Sequence, residues 1–144
     1  MIIPRLDLTA LHAAVGALSD AIDVASDAQW FAQQSTKVQN VLFSGVIQSF
    51  EIAYEVSVKM MKRQIEVDAA SPTEVDGLNY RDMLRSAAEK GLITNVEAWF
   101  HYRTLRNITA HTYDHEKAKQ VYAGVADFLG DINFLLAKLQ ERNV

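Results

Sequence analysis

Apolar side chains recur along this chain at intervals of three and four residues, the spacing that places them on one face of an α-helix. The first such segment covers about residues 6–25. A polar stretch at residues 33–35 separates it from a second segment, which keeps the helical period over about residues 38–65. At 1.5 Å per residue the second helix is about 45 Å long. This length exceeds what a small bundle needs and predicts a partner or a second copy of the chain.

Three more helices are predicted from the signals at their ends. A short third helix begins after Asn79, a favoured N-cap residue, and stops at Gly91, a residue typical of the position just past a helix end. The sequence Thr94-Asn-Val-Glu97 has the form of a capping box and predicts the start of a fourth helix. That helix should fray near residues 111–113, because Asp114 resembles the N-cap of a fifth helix.

The order of these elements predicts the fold class. Turn residues at Ser71-Pro72-Thr73 and Asp76-Gly77 separate the second helix from the third, and no segment alternates convincingly with a period of two. The class is therefore all-α, an up-and-down four-helix bundle with one additional short helix. Because no repeat or long linker divides the chain, we expect residues 1–144 to form a single domain.

Composition narrows the chemistry that the chain can perform. With 49% hydrophobic and 22% charged residues it resembles an average globular protein. The absence of cysteine excludes disulfides, thiolate metal sites and a cysteine nucleophile. A net charge of −4 argues against a broad basic surface but leaves room for a local basic cleft. Without a signal-peptide pattern or a long uninterrupted apolar run, we expect a cytoplasmic protein outside the membrane.

An arginine and a histidine near the end of the fourth helix are the strongest candidates for function. Arg106 offers a permanent charge and planar donors that suit a phosphate oxyanion, and His111 can exchange a proton near neutral pH. The hydroxyl of Tyr113 follows two residues later. Together these groups suit cleavage of RNA without a metal, with His111 as general base or acid and Arg106 stabilising charge at phosphorus.

Helix geometry leaves a structural alternative open. Over five residues an ideal helix turns two side chains about 140° apart, so Arg106 and His111 converge only if the helix frays or a second subunit completes the site. Asn107 shares a face with His111, and also with Arg103. In the structural alternative, His111 satisfies carbonyls at the helix end and Arg106 pairs with an acidic neighbour. Spacing alone favours this alternative.

Three blocks of sequence together resemble the HEPN superfamily, which is marked by the pattern R-x(4–6)-H. Residues 99–113 contain that pattern, with an Arg-Asn start and a His-x-Tyr finish. This start and finish resemble those of one branch of the superfamily, the nucleotidyltransferase substrate-binding proteins. Residues 45–55 and residues 80–93 fit the same branch in order and spacing. The likeness covers about residues 38–119.

The resemblance implies a helical bundle that dimerises, with the Arg–His motifs of two subunits meeting in a cleft. It also implies a partner, a minimal nucleotidyltransferase encoded nearby. In related pairs the partner adenylylates the motif tyrosine, which is Tyr113 here. Many HEPN proteins resemble metal-independent ribonucleases that act as toxins and are neutralised by the nucleotidyltransferase, whereas other members are described only as binding substrate or nucleotide.

We therefore expect the non-nucleotidyltransferase subunit of a two-component system, which binds nucleotide or substrate at a dimer interface. A ribonuclease toxin with Arg106 and His111 as catalytic residues is the alternative. The expected binding residues are Arg103, Asn107, Tyr113, Arg81 and Arg85, the last two on the locally basic third helix.

No metal and no cofactor are expected. The pairs Glu97 with His101 and His111 with His115 have a spacing that suits a metal on a helix, but neither has an obvious third ligand. The segment Ser19-Asp20-Ala-Ile-Asp23 superficially resembles a nucleotidyltransferase metal motif but lacks the upstream Gly-Ser loop. This chain is therefore not expected to be the catalytic nucleotidyltransferase.

Overall fold

The computed structural model describes residues 5–143, except for the side chain of Pro72, and confirms the all-α class. A 3₁₀ turn at Thr109–His111 joins the last two helices. In chain order the helices are α1 (Thr9–Ser26), α2 (Ala28–Ala32), α3 (Thr36–Asp68), α4 (Pro72–Asp76), α5 (Tyr80–Glu89), α6 (Val96–Ile108) and α7 (His115–Arg142).

Two short helices stand where the sequence predicted only connections. In α2, the Asp27 side chain accepts a hydrogen bond from the backbone N–H of Trp30, which closes one helical turn. In α4, Pro72 occupies the start of the helix, where its fixed φ angle suits a first turn. Both are five residues long and lack the periodicity that reveals longer helices.

The long helix α3 has 33 residues and extends about 50 Å. It begins at Thr36, after an N-cap at Ser35 whose hydroxyl accepts a hydrogen bond from Val38. By length and apolar composition alone α3 is able to cross a membrane. Its apolar composition has another explanation here, because Val46, Phe50 and Met61 are buried in the core of the bundle.

Caps define the ends of the shorter helices. Asn79 caps α5 as predicted, and Gly91 follows that helix with a φ angle of 77°, which favours glycine. The cap of α6 differs from the prediction, because the side chain of Asn95, not Thr94, accepts the hydrogen bond from Ala98. Asp114 caps α7 as predicted.

Aromatic side chains form the centre of the core and fix the orientation of α6. The ring of Phe128 on α7 meets the rings of Phe50, Tyr102 and Trp99 at centroid distances of 4.9, 5.0 and 5.8 Å. Trp99 and Tyr102 are buried, and the Tyr102 hydroxyl donates a hydrogen bond to the Asp131 carboxylate. Burying these rings stabilises the packing of α6 against its neighbours.

A glycine permits the close approach of α6 and α7. A Cβ atom at Gly124 would collide with the side chain of Leu105, whereas a Cβ atom at Gly130, further along α7, would meet open space. Both glycines lie inside the same helix, so alanine has the same propensity advantage at each position.

We predict opposite effects for two substitutions in α7. Gly124→Ala should lower the free energy of unfolding by about 1–3 kcal/mol, because overpacking at Leu105 outweighs the gain in helix propensity. The matched control Gly130→Ala should raise it by up to about 1 kcal/mol. Urea denaturation followed by circular dichroism measures both changes. Equal stabilisation by the two substitutions would contradict the close packing described for Gly124.

Candidate functional site

The burial of one side of α6 places its charged residues on the other side. Trp99, Tyr102 and Leu105 face the core, while Arg103 and Asn107 are exposed and Arg106 is half-buried beside them. Arg106 is three residues from Arg103 and Asn107 is four, so both flank Arg103 on the outward side of the helix. The structure thus brings together three of the predicted site residues on one surface.

Arg106 is held by two glutamates of α3. Its Nη2 atom lies 2.5 Å from Oε1 of Glu55 and 3.5 Å from Oε1 of Glu51, and its Nε atom donates to the same oxygen of Glu55 at 3.0 Å. A third donor, Nη1, reaches the hydroxyl of Thr109 at 3.2 Å. The hydrogen bond with Glu55 is the main cause of a raised pKa of Arg106. The acidic pairing that the sequence left open as a structural alternative is present.

Two tyrosine hydroxyls lie beneath the arginines. The hydroxyls of Tyr54 and Tyr80 are 2.7 Å apart, and the guanidinium of Arg103 stacks over the ring of Tyr80 at 4.6 Å from its centroid. Burial raises the pKa of both tyrosines, while the charges of Arg103 and Arg106 act in the opposite direction on Tyr54. Both hydroxyls are therefore neutral at physiological pH and able to donate hydrogen bonds.

The remaining predicted arginines extend this surface onto α5. The guanidinium of Arg81 lies 4.4 Å from the centroid of the Phe100 ring and 3.7 Å from a carboxylate oxygen of Glu97. Arg85 is exposed one helical turn further along α5. Arg81, Arg85 and Arg103 therefore lie along two neighbouring helices, and we call this surface, together with Arg106, the arginine face.

His111 and Arg106 have different hydrogen-bond partners. The predicted fraying is present as the 3₁₀ turn, in which His111 is exposed. Its Nδ1 atom is 3.4 Å from the hydroxyl of Tyr113, a side chain that is 84% exposed. Arg106 contacts the glutamates of α3 and Thr109 of the 3₁₀ turn, whereas His111 contacts Tyr113 in the connection to α7. Within one copy of the chain, the fraying of the helix end therefore does not bring Arg106 and His111 into contact with the same partners.

Sequence reasoning missed Glu51, Glu55, Tyr54 and Tyr80 as components of the site. All four lie within the sequence blocks that resemble the family. By residue type, however, the glutamates predicted only a helix surface and the tyrosines only a core. The i, i+4 spacing of Glu51 and Glu55 was the available signal, because it places two carboxylates on one face of α3. Among residues 5–143, the His, Asp and Glu side chains form no cluster of three able to hold a metal.

Comparisons with known proteins agree on the family. Residues 6–141 match the family model described as nucleotidyltransferase substrate binding protein like. A protein of Haemophilus influenzae named "Probable ribonuclease HepT" is 45% identical over 143 residues, covering 99% of this chain and 98% of that protein.

A solved structure shares the fold as well. It comes from Haemophilus influenzae and is described as showing the fold of a substrate binding domain of a nucleotidyltransferase. It is similar to this chain with a TM-score of 0.90 and 45% identity, covering 93% of this chain and 99% of that one. The resemblance drawn from the motif blocks is therefore confirmed.

The pairing of Arg106 leads to a prediction about anion binding. In Glu55→Gln the carboxylate no longer competes for Arg106, so inorganic phosphate should bind roughly two- to fivefold more tightly. This change in affinity corresponds to the free energy of one partly exposed ion pair. Stability should change by less than about 1 kcal/mol, since the pair is largely solvated. Phosphate titration followed by NMR of the arginine side chains measures the affinity.

Glu66→Gln is the matched control for this experiment. It removes the same charge from the same helix at a position about 16 Å further along the axis. Equal gains in phosphate affinity from Glu55→Gln and Glu66→Gln would mean that net charge, not release of Arg106, controls binding.

Proposed function

The chain belongs to the family of nucleotidyltransferase substrate-binding-like proteins, and we propose that it is the non-nucleotidyltransferase subunit of a two-component system. In this proposal it is a cytoplasmic single-domain protein that binds a nucleotide, or the substrate of a minimal nucleotidyltransferase, in a cleft at the interface of a homodimer. The observation that carries the proposal is the arginine face.

The arginine face supports recognition of a phosphate group. The chain as a whole has a net charge of −4, yet four arginines lie along the exposed sides of α5 and α6. Stacking on Tyr80 and Phe100 holds Arg103 and Arg81 in place, so less side-chain entropy is lost when an anion binds. Planar guanidinium groups match phosphate oxygens in pairs, which a lysine cannot do.

Exposed apolar residues support the homodimer. Val24, Trp30, Val38 and Val41 are between 38% and 70% exposed and lie on α1, α2 and the first turns of α3. Covering such a surface removes apolar area from water, which favours association. A second copy also offers a way to complete the site, since it can bring the partner subunit's His111 toward the Arg106 of the first.

Tyr113 is the proposed point of control by the nucleotidyltransferase partner. Its side chain is 84% exposed and therefore accessible to another protein, and its hydroxyl lies beside His111. Addition of an adenylyl group there places a bulky anion next to the motif, where it blocks the cleft and partly neutralises its positive charge.

The name of one relative favours a second candidate function. The 45% identical protein is named as a probable ribonuclease, so the alternative is a metal-independent ribonuclease toxin that its partner neutralises. In this reaction His111 takes the proton of the ribose 2′-hydroxyl, whose oxygen attacks phosphorus while the 5′-oxygen leaves. A second histidine, the partner subunit's His111, returns a proton to the leaving oxygen, and Arg106 stabilises the charge at phosphorus.

The binding proposal predicts a change in thermal stability. Nucleoside monophosphate at a hundred times its dissociation constant should stabilise the wild-type dimer by about 2.7 kcal/mol, measured as a higher Tm. Arg106→Ala should abolish this shift, whereas Lys62→Ala, which removes an exposed charge outside the arginine face, should retain it. An unchanged Tm with every nucleotide tested would refute the binding proposal.

The ribonuclease alternative makes a separate prediction. The purified chain should cleave single-stranded RNA in the presence of a chelator and leave 2′,3′-cyclic phosphate ends, which mass spectrometry detects. His111→Ala should lower the rate by roughly 10²–10⁴-fold, as expected for loss of a general acid or base. His12→Ala replaces a histidine on α1 and is the control. Cleavage that survives in His111→Ala would exclude this assignment.

A further inference from the structure

A cavity near the start of α7 lies outside the arginine face. It has a volume of about 210 Å³ and opens between the first part of α3 and the first turns of α7. The side chains that line it are Asn40, Phe43, His115, Ala118, Lys119 and Tyr122. Its volume is below the roughly 300–1,000 Å³ of pockets for drug-sized ligands, so it suits one planar ring system and not a long chain.

Aromatic rings form the wall of this cavity. The rings of Phe43 and Tyr122 meet edge to face, with centroids 4.9 Å apart and planes at 86°. The ring of Phe31 also meets that of Phe43 edge to face, with centroids 5.1 Å apart. Because Phe43 and Tyr122 remain half-exposed, part of their ring surface is free to stack on a flat ligand.

Polar groups at the opening determine which flat ligand fits. Asn40 carries an amide that both donates and accepts, as the edge of a nucleobase requires. His115 and Lys119 supply hydrogen-bond donors that suit the hydroxyls of a ribose, and Lys119 also contacts Glu116 at 3.8 Å. An apolar ligand would use neither the amide nor these donors, whereas a nucleoside uses both.

We propose that this cavity is a nucleobase subsite, in which the base stacks on Phe43 and Tyr122 and its edge meets Asn40, with His115 and Lys119 beside the ribose. The inference rests on the proposed function, because it adds a second anchor for the nucleotide. Tyr113 precedes His115 by two residues, so their Cα atoms are at most about 7.6 Å apart. A nucleotide bound or attached at Tyr113 can therefore reach the cavity with its base.

The test separates the base from the phosphate by using three probes on the full chain: adenosine, AMP and ribose 5-phosphate. In ¹H–¹⁵N NMR titrations, adenosine and AMP should shift the backbone amides of Phe43 and Tyr122, and ribose 5-phosphate should not. Tyr122→Ala should weaken AMP binding by roughly tenfold, the loss expected for one stacked base. Tyr122→Phe keeps the ring and should bind AMP like the wild type.

Asn40→Ala is the second variant, since it alters an exposed side chain and leaves the aromatic wall intact. It should weaken adenosine binding and leave ribose 5-phosphate binding unchanged. If AMP binds equally to Tyr122→Ala and Tyr122→Phe, or binds no better than ribose 5-phosphate, the subsite is refuted. Conversion of a wild-type dimer to monomers by Tyr122→Ala, seen by light scattering, would also refute it, because the cavity would then belong to a contact between copies.

Failure of the subsite is distinguishable from failure of the arginine face. Loss of AMP binding in Arg106→Ala but not in Tyr122→Ala overturns the subsite and leaves the proposed function intact. Loss of AMP binding in Tyr122→Ala but not in Arg106→Ala supports the subsite and overturns the role of Arg106. Adenosine carries no phosphate, so its binding reports on the cavity even where Arg106 plays no part.

Discussion

The packing of α6 against Phe128 is the constraint on which the rest of the structure depends. Trp99 and Tyr102 meet this ring from one side of α6, and the hydroxyl of Tyr102 is tied to Asp131 of α7. Gly124 lets the two helices approach closely at Leu105. With one face of α6 fixed in the core, its rotation is no longer free, and the arginines of the opposite face are directed toward α3, α5 and solvent.

This orientation also determines the electrostatics of the arginine face. Arg106 meets two carboxylates of α3, so its charge is compensated within the chain, and a phosphate must compete with Glu55 to bind it. Arg103 and Arg81 are held over aromatic rings, and Arg81 also lies 3.7 Å from a carboxylate oxygen of Glu97. The face therefore combines two arginines that are paired with glutamates, Arg106 and Arg81, with Arg103, which stacks on an aromatic ring.

The break between α6 and α7 has a different consequence. The Asp114 cap starts a new helix, and His111, at the end of the intervening 3₁₀ turn, contacts the exposed Tyr113, whereas Arg106 contacts the glutamates of α3. A motif that is compact in sequence is thus divided between two environments. The arginine belongs to the face built by α3, α5 and α6, and the histidine and tyrosine lie in the connection that leads to α7.

The sequence by itself determined the all-α class, the long helices, the caps at Asn79 and Asp114, and the family, because periodicity, caps and motif spacing are local properties of the chain. It did not reveal α2 and α4, which are too short to show a period, and it placed the cap of α6 one residue early. Only the tertiary structure decided that Arg106 pairs with Glu55, 51 residues away in the chain. Such pairs depend on how helices rotate and cross, which follows from packing across the whole core and not from any one segment.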